Sequence, residues 1–172
     1  MFLNYIKDFS AKRILKNSLV NGRSTTALGT IKTVGLVVDE SYFLETKSLI
    51  KSLVDKGILE SDIEVLVYKD RLKKNREQNY PVCSPNDLRW NGGLAAGKAN
   101  DFIAKEFDLL ISYYDLEKAV LLLVSHHSKA KFKVGFSAVD KRLNDLMITT
   151  NAENYLVFTH ELFRYLKILN KI

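Results

Sequence analysis

Short apolar runs alternate along the chain with segments that carry apolar residues at helical spacing. The first run, 33–38, is rich in β-branched residues, and the segment after it repeats apolar residues from Phe43 to Val54. Continuous apolar strands separated by helices are typical of a parallel sheet covered on both faces. We therefore predict a three-layer α/β domain, Rossmann-like or flavodoxin-like, with a mostly parallel sheet of about five strands. The predicted strands are 33–38, 63–68, 109–113, 131–136 and 146–149, and the predicted helices are roughly 41–57, 101–107, 116–127 and 153–169.

The first strand, helix and strand have the spacing of a βαβ unit, whose strands are parallel. Ser41 is the predicted N-cap of the helix, because a hydroxyl at that position can accept a backbone N–H. Gly57 is its predicted C-terminal stop.

Residues 1–30 differ from the rest of the chain. Segment 2–20 predicts an imperfect amphipathic helix in which Arg13 interrupts the apolar stripe, and 21–26 is polar and rich in turn-forming residues. We predict a basic N-terminal helical arm with its linker over 1–30, followed by a single α/β domain over 31–172.

The segment 69–94 shows no clear element, although it holds both prolines and the only tryptophan, Trp90. Loops of this length are uncommon in compact domains unless they have a function. The prolines and the large aromatic predict a packed loop. Trp90 is either a lid over the sheet edge or a stacking residue for a ligand, and both alternatives stay open.

The composition indicates a globular protein, since 47% of the 172 residues are hydrophobic and 27% are charged. A single cysteine, Cys83, cannot form an internal disulfide, which agrees with a reducing compartment. The pair Lys7 and Asp8 interrupts the start where a signal peptide needs an apolar run. The longest apolar run, 119–124, is far short of the roughly 20 residues that span a bilayer. We predict a cytoplasmic protein without a membrane span.

Basic charge is concentrated in three segments. The chain has 26 Lys and Arg against 20 Asp and Glu, for a net charge of +6. Segments 1–23, 69–77 and 129–142 carry net charges of +4, +3 and +4, so the remainder is acidic. Such clustering raises the expectation of an anionic partner, although scattered solvated lysines would give the same sequence.

The main functional hypothesis is a non-catalytic binding module whose partner is RNA or a ribonucleoprotein. Phosphate contacts by Lys and Arg would make its affinity fall steeply with salt. The hypothesis assigns no catalytic residue, cofactor or metal. Its predicted contact residues are Lys7, Lys12, Arg13, Lys16, Lys73, Lys74, Arg76, Lys131 and Lys133.

The alternative is an enzyme or sensor for a small phosphorylated or nucleotide-like ligand. Asp39 and Asp115 follow two predicted strands, and ligands of open parallel sheets bind at the carboxyl ends of strands. The predicted pocket is completed by Cys83 and Trp90 from the long loop. Helix capping explains both aspartates equally well. A third possibility is a protein–protein scaffold in which residues 1–23 dock on a partner.

Two motifs are only weak evidence for a ligand or metal site. Residues 92–98 match the phosphate loop G-x-x-x-x-G-K, but Ala99 stands where a hydroxyl would hold Mg²⁺ and no buried strand precedes the loop. A glycine turn that opens a helix is the simpler interpretation. His126 and His127 point about 100° apart on a helix, which disfavours a shared metal site. A nucleophilic pair of Cys83 and His126 rests on residue types alone.

Four stretches resemble an uncharacterised protein family of Bacteroidetes bacteria over most of 30–170. The resemblance implies a bacterial source and an α/β fold but no catalytic residues. The stretches are 86–90 (NDLRW), 107–114 (FDLLISYY), 128–135 (SKAKFKVG) and 143–148 (LNDLMI).

A weaker resemblance covers about thirty residues. Residues 107–111 followed by 130–136 are similar to a strand–helix–strand in the N-terminal half of heptosyltransferase-type glycosyltransferases. This chain is too short to hold the second domain in which those enzymes bind the donor nucleotide. The resemblance therefore implies topology rather than glycosyl transfer.

Overall fold

The computed structural model describes Arg13, Leu15, 29–72 and 78–172. Within these residues six strands and four α-helices alternate in the order of an α/β fold. The strands are β1 (Val34–Asp39), β2 (Ile63–Tyr68), β3 (Val82–Cys83), β4 (Leu109–Tyr113), β5 (Phe132–Phe136) and β6 (Leu146–Ile148). The helices are α1 (Thr46–Val54), α2 (Lys98–Ile103), α3 (Ala119–His127) and α4 (Tyr155–Ile168).

All six strands run parallel in the order β3-β2-β1-β4-β5-β6. The central strand β1 pairs Val34 with Ile63 on one side and with Leu109 on the other. The chain progresses outward in both directions from β1, so the strand order reverses between β1 and β4. This topology confirms the predicted α/β class. The edge that matters below is the carboxyl edge, where β1, β2 and β4 end.

Two apolar cores lie on the two faces of the sheet. Alternate residues of β1 face opposite sides, so Leu36 and Val38 join α1 and α4 in one core while Val37 joins α2 and α3 in the other. Residues 119–124 of α3 are buried throughout. The absence of a polar face on this helix explains why its sequence reads as one apolar run. Leu15 is helical and lies in the second core, so the N-terminal segment contacts the α/β core at that residue.

The sixth strand, β3, lies within 69–94, the segment for which we predicted no helix or strand. Strand β3 has two residues and stands between Pro81 and Pro85. A strand of this length shows no periodicity, which is why we predicted about five strands. Local contacts order part of the rest of 69–94: Ser84 and Asp87 form a capping box, and Leu88 bridges to Leu94.

One local prediction was wrong, and one of the two alternatives for Trp90 is excluded. Ser41 does not cap α1, which begins at Thr46 after the N-cap Glu45; the Ser41 hydroxyl instead accepts the backbone N–H of Asp70 at 2.9 Å. Trp90 is not a lid, since 78% of its surface is exposed. Gly97 directly precedes α2, so the glycine-rich stretch opens a helix as the simpler interpretation expected.

Among the described residues, no helix is long and apolar enough to cross a membrane.

Candidate functional site

The loops that follow β1, β2 and β4 meet at the ammonium group of Lys118. This residue immediately precedes α3, and its Nζ lies 2.7 Å from Asp39 Oδ2 and 2.9 Å from Asp70 Oδ2. Asp39 ends β1, whereas Asp70 lies two residues beyond the end of β2. The side chains of Lys118 and Asp39 are only 16% and 6% exposed. A buried ion pair of this kind therefore joins three loops at the carboxyl edge.

Two aromatic rings complete what we call the Lys118 cluster: Lys118, Asp39, Asp70, Tyr42 and Tyr68. The Lys118 Nζ lies 4.6 Å from the ring centroid of Tyr42 and 4.7 Å from that of Tyr68. The Tyr68 hydroxyl donates to Asp70 Oδ1 at 3.0 Å. Removing an ammonium group from water is costly, and the two carboxylates and two ring faces offset that cost.

The contacts shift the acidity of two groups in the cluster. Burial on its own would raise the pKa of Asp70, but the hydrogen bonds from Lys118 and Tyr68 and the charge of Lys118 outweigh it and hold the pKa below its ordinary value. Burial, together with the hydrogen bond to the Asp70 carboxylate, raises the pKa of Tyr68. Asp70 therefore stays a charged acceptor and Tyr68 a neutral donor at neutral pH.

A second ion pair lies beside the cluster. Lys69 Nζ is 3.2 Å from Glu40 Oε2 and donates to Gln78 Oε1 at 2.7 Å. The Thr46 hydroxyl at the start of α1 donates to Glu40 Oε1 at 2.6 Å. These bonds tie the loop after β1 to the loop after β2 and hold the Glu40 carboxylate at the wall between them.

A cavity of about 470 Å³, the carboxyl-edge cavity, opens between these two loops. Arg71 is exposed on its wall and forms no ion pair with any described residue. Apolar side chains stand exposed around this edge, with Tyr42 at 67%, Leu44 at 81% and Leu72 at 52%. The lining residues are Glu40, Ser41, Leu44, Lys69, Asp70, Arg71 and Gln78.

None of the four residues of the predicted alternative pocket lines this cavity. Asp39 is buried in the Lys118 cluster, and its Oδ1 accepts the backbone N–H of Ser41. Asp115 accepts the backbone N–H of Ala152 at 3.0 Å and so joins the loop after β4 to the loop before α4. Cys83 is fully buried, and burial raises the pKa of its thiol to about 12, which excludes a thiolate nucleophile at neutral pH.

The predicted basic contact residues fall into three groups. Lys7, Lys12, Lys16, Lys73, Lys74 and Arg76 lie outside the described residues. Arg13 is exposed. Lys131 is also exposed, but it precedes β5 at the opposite, amino edge and pairs with Asp108 at 2.8 Å.

Lys133 cannot contact a surface partner, because it is fully buried between β5 and α3. Its ammonium group donates to the main-chain oxygens of Ser125 and His126 at the end of α3. A cation near a helix C-terminus is favourable, so the buried ammonium group of Lys133 stabilises the end of α3. The sequence shows a lysine between two apolar residues and does not show that a helix end covers it.

Apart from Asp39, the residues that form the site were missed at the sequence level. A signal was present, because Glu40 follows β1 and Lys69, Asp70 and Arg71 follow β2, which places charged side chains at the carboxyl ends of neighbouring strands. Lys118 gave no comparable signal. Its role depends on a helix start that lies far along the chain from both of its acidic partners.

Comparison with known proteins gives one match. No curated protein and no solved structure matches the chain. A model of a family of unknown function, DUF6913, matches residues 7–169. The match confirms the predicted uncharacterised domain, whereas the bacterial source and the heptosyltransferase resemblance stay predictions. The match spans nearly the whole sequence, and the chain therefore belongs to the DUF6913 family, a family of unknown function.

Proposed function

We propose that this chain binds a small phosphorylated, nucleotide-like ligand in the carboxyl-edge cavity. The observation that carries the proposal is the pair Asp70 and Arg71 on one cavity wall, where a charged acceptor stands beside a cation without an ion-pair partner among the described residues. A phosphorylated sugar offers the complementary groups, hydroxyl donors and an anion.

The carboxylates of the cavity can accept ligand hydroxyls. Asp70 receives one hydrogen bond on each oxygen, from Tyr68 and from Lys118. A carboxylate has about four acceptor sites, so capacity remains for two further donors. Glu40, which is held by Thr46 and Lys69, offers the same capacity on the neighbouring loop. Because both groups are already fixed, a ligand would not have to order them.

The guanidinium group of Arg71 supplies the anion contact. Its five donors match the oxygens of a phosphate in a bidentate geometry. Lys69 adds a second positive charge on the same wall, although it shares that charge with Glu40. The phosphate therefore belongs at Arg71.

The position within the fold supports a ligand site. Open parallel sheets bind ligands outside the carboxyl ends of their strands, near the point where the strand order reverses. Here the cavity lies outside the carboxyl ends of β1 and β2, next to the reversal point between β1 and β4, which Lys118 bridges. The loop after β1 has no glycine, so the phosphate contact falls to Arg71 rather than to a glycine-rich turn.

Calorimetric titration of the full chain tests the proposal. We expect 5′-AMP and ribose 5-phosphate to bind and adenosine to bind more weakly by about tenfold, the equivalent of losing one charge-assisted contact. Arg71→Gln should weaken 5′-AMP by a similar factor. Arg164→Gln removes the same charge from an exposed position on α4 and is the matched control. Equal affinity of adenosine and 5′-AMP would contradict the proposal.

RNA binding through the basic segments is a second candidate. It is supported by the net charges of 1–23, 69–77 and 129–142 and by the exposure of Arg13 and Lys131. Fluorescence anisotropy with a labelled single-stranded RNA, measured at two salt concentrations, tests it. Affinity should fall steeply as salt rises if phosphates carry the binding. No binding at low salt would end this candidate.

The remaining sequence predictions are not needed for either candidate. Docking of residues 1–23 on a protein partner stays a prediction, and Leu15 from that segment is buried in the chain's own second core. The cytoplasmic location, the source in Bacteroidetes and the resemblance to heptosyltransferases also stay predictions.

A further inference from the structure

The carboxyl-edge cavity continues into a second cavity on α1. A small cavity of about 40 Å³ shares Glu40, Lys69 and Gln78 with the carboxyl-edge cavity and extends to Tyr80. Tyr80 in turn lines a third cavity of about 380 Å³, the α1 cavity. Neighbouring cavities share lining residues, and the three lie in sequence from the carboxyl ends of β1 and β2, past residues 78–80, to the side of α1. We call this surface the groove.

The α1 cavity has its own cations. Lys47 and Lys51 lie one helical turn apart on α1, so they share a face of the helix. Both are exposed, and neither forms an ion pair with a described residue. Ile50 and Val54 supply apolar surface between them and Tyr80. An anion held here would be separate from one held at Arg71.

The groove as a whole has a surplus of positive charge. Glu40 is paired with Lys69, and Asp70 shares Lys118 with the buried Asp39. Of the other charged lining residues, Arg71, Lys47 and Lys51 are cations and Glu60 is the single acid. A ligand with two separate phosphates matches this distribution, whereas a monophosphate uses only Arg71.

Tyr80 lies between the two groups of cations. It is half-buried and packs against the first core. An aromatic ring beside a cationic groove is the arrangement on which bases of single-stranded nucleic acids stack. The carboxylates of Glu40 and Asp70 add acceptors suited to ribose hydroxyls, and the 2′-hydroxyl is the group that separates RNA from DNA.

We propose that the groove binds two consecutive nucleotides of single-stranded RNA, one in each large cavity. The proposal rests on the proposed function, because the first nucleotide occupies the carboxyl-edge cavity. Its phosphate contacts Arg71, and the second nucleotide stacks beside Tyr80 with a phosphate at Lys47 and Lys51. The groove, rather than the surface lysines of the basic segments, then selects the ligand.

Titration of the full chain with 5′-AMP and with the 5′-phosphorylated diadenylate pApA tests the inference. We expect pApA to bind the wild-type chain about tenfold more tightly than 5′-AMP, as one added stacking and phosphate contact would give. Its deoxyribose analogue should bind more weakly than pApA. Lys47→Gln/Lys51→Gln should lower the affinity for pApA to that for 5′-AMP.

Lys56→Gln/Lys167→Gln removes the same charge at two exposed positions outside the groove and should leave pApA binding unchanged. Thermal unfolding checks that both double variants are folded. If 5′-AMP binds but pApA binds no better, the two-nucleotide groove is wrong while the proposed function stands. If neither binds, both are wrong. Displacement of pApA by an acidic peptide at equal concentration would overturn the assignment to nucleic acid.

Discussion

The Lys118 ammonium group lies 2.7 Å from the Asp39 carboxylate, and strands β2, β3 and β4 lie between these two residues in the sequence. Both side chains are largely buried. Each charge is therefore tolerated in the interior because the other is present. The same ammonium group contacts Asp70, so one side chain holds together the ends of β1 and β2 and the start of α3.

Removing this cation should destabilise the fold. Lys118→Met leaves Asp39 buried without its ion-pair partner, and we expect a loss of about 3 kcal/mol in the free energy of unfolding. Urea denaturation measures it. Lys56→Met, at an exposed position past the end of α1, is the control for loss of one lysine. If Lys118→Met costs no more than the control, the pair does not hold the carboxyl edge together.

Asp108 should make stability depend on pH in the acid range. Burial alone would raise the pKa of this carboxyl, but hydrogen bonds from Lys131, Thr33 and Lys32 outweigh it and place the pKa well below its ordinary value. The native pKa is thus below the unfolded value of about 3.9. The contribution of the Asp108 carboxylate to the free energy of unfolding is therefore complete above that pH and is lost as the pH falls further.

Urea midpoints of wild type and Asp108→Asn, measured from neutral pH down through this range, test the prediction. The stability difference between the two should be largest above the unfolded pKa and should shrink below it. Asp101→Asn, at an exposed position on α2, controls for the loss of one negative charge. A difference that stays constant across the range contradicts the role of Asp108.

Gly35 is required by close packing in β1. A Cβ at this position would lie 2.7 Å from Phe107 Cδ2 and 3.0 Å from Phe102 Cζ. Gly35→Ala should therefore lower the free energy of unfolding by about 1–3 kcal/mol, the usual cost of overpacking. Gly29→Ala is the matched control, because a Cβ there meets no described atom within 4 Å. Equal stability of the two variants would show that the phenylalanine rings move aside without cost.

Trp90 should report an exposed environment. It is the only tryptophan and 78% of its surface is accessible. We expect its fluorescence maximum to lie close to that of the urea-unfolded chain, and acrylamide to quench the native emission efficiently. Blue-shifted native emission with poor quenching would restore the lid that the sequence suggested.

Much of the fold was predictable from local patterns. Strands β2 and β4 have the predicted bounds, β1 is shifted by one residue at both ends, and β5 and β6 each differ by one residue at one end. Strand β3 was not predictable, because two residues between prolines carry no periodic signal. The start of α1 was misplaced because the Ser41 hydroxyl, a good cap by residue type, is used by the backbone of Asp70 instead.

The sequence by itself determined the layers of this protein, since strand and helix periodicity and burial on two faces are properties of neighbouring residues. Only the tertiary structure decided which polar side chains meet. It placed Lys118 against Asp70, 48 residues away, buried Lys133 under the end of α3, and exposed Trp90. The physical reason is that the energy of a charge or a ring depends on what covers it, and the covering groups come from distant parts of the chain.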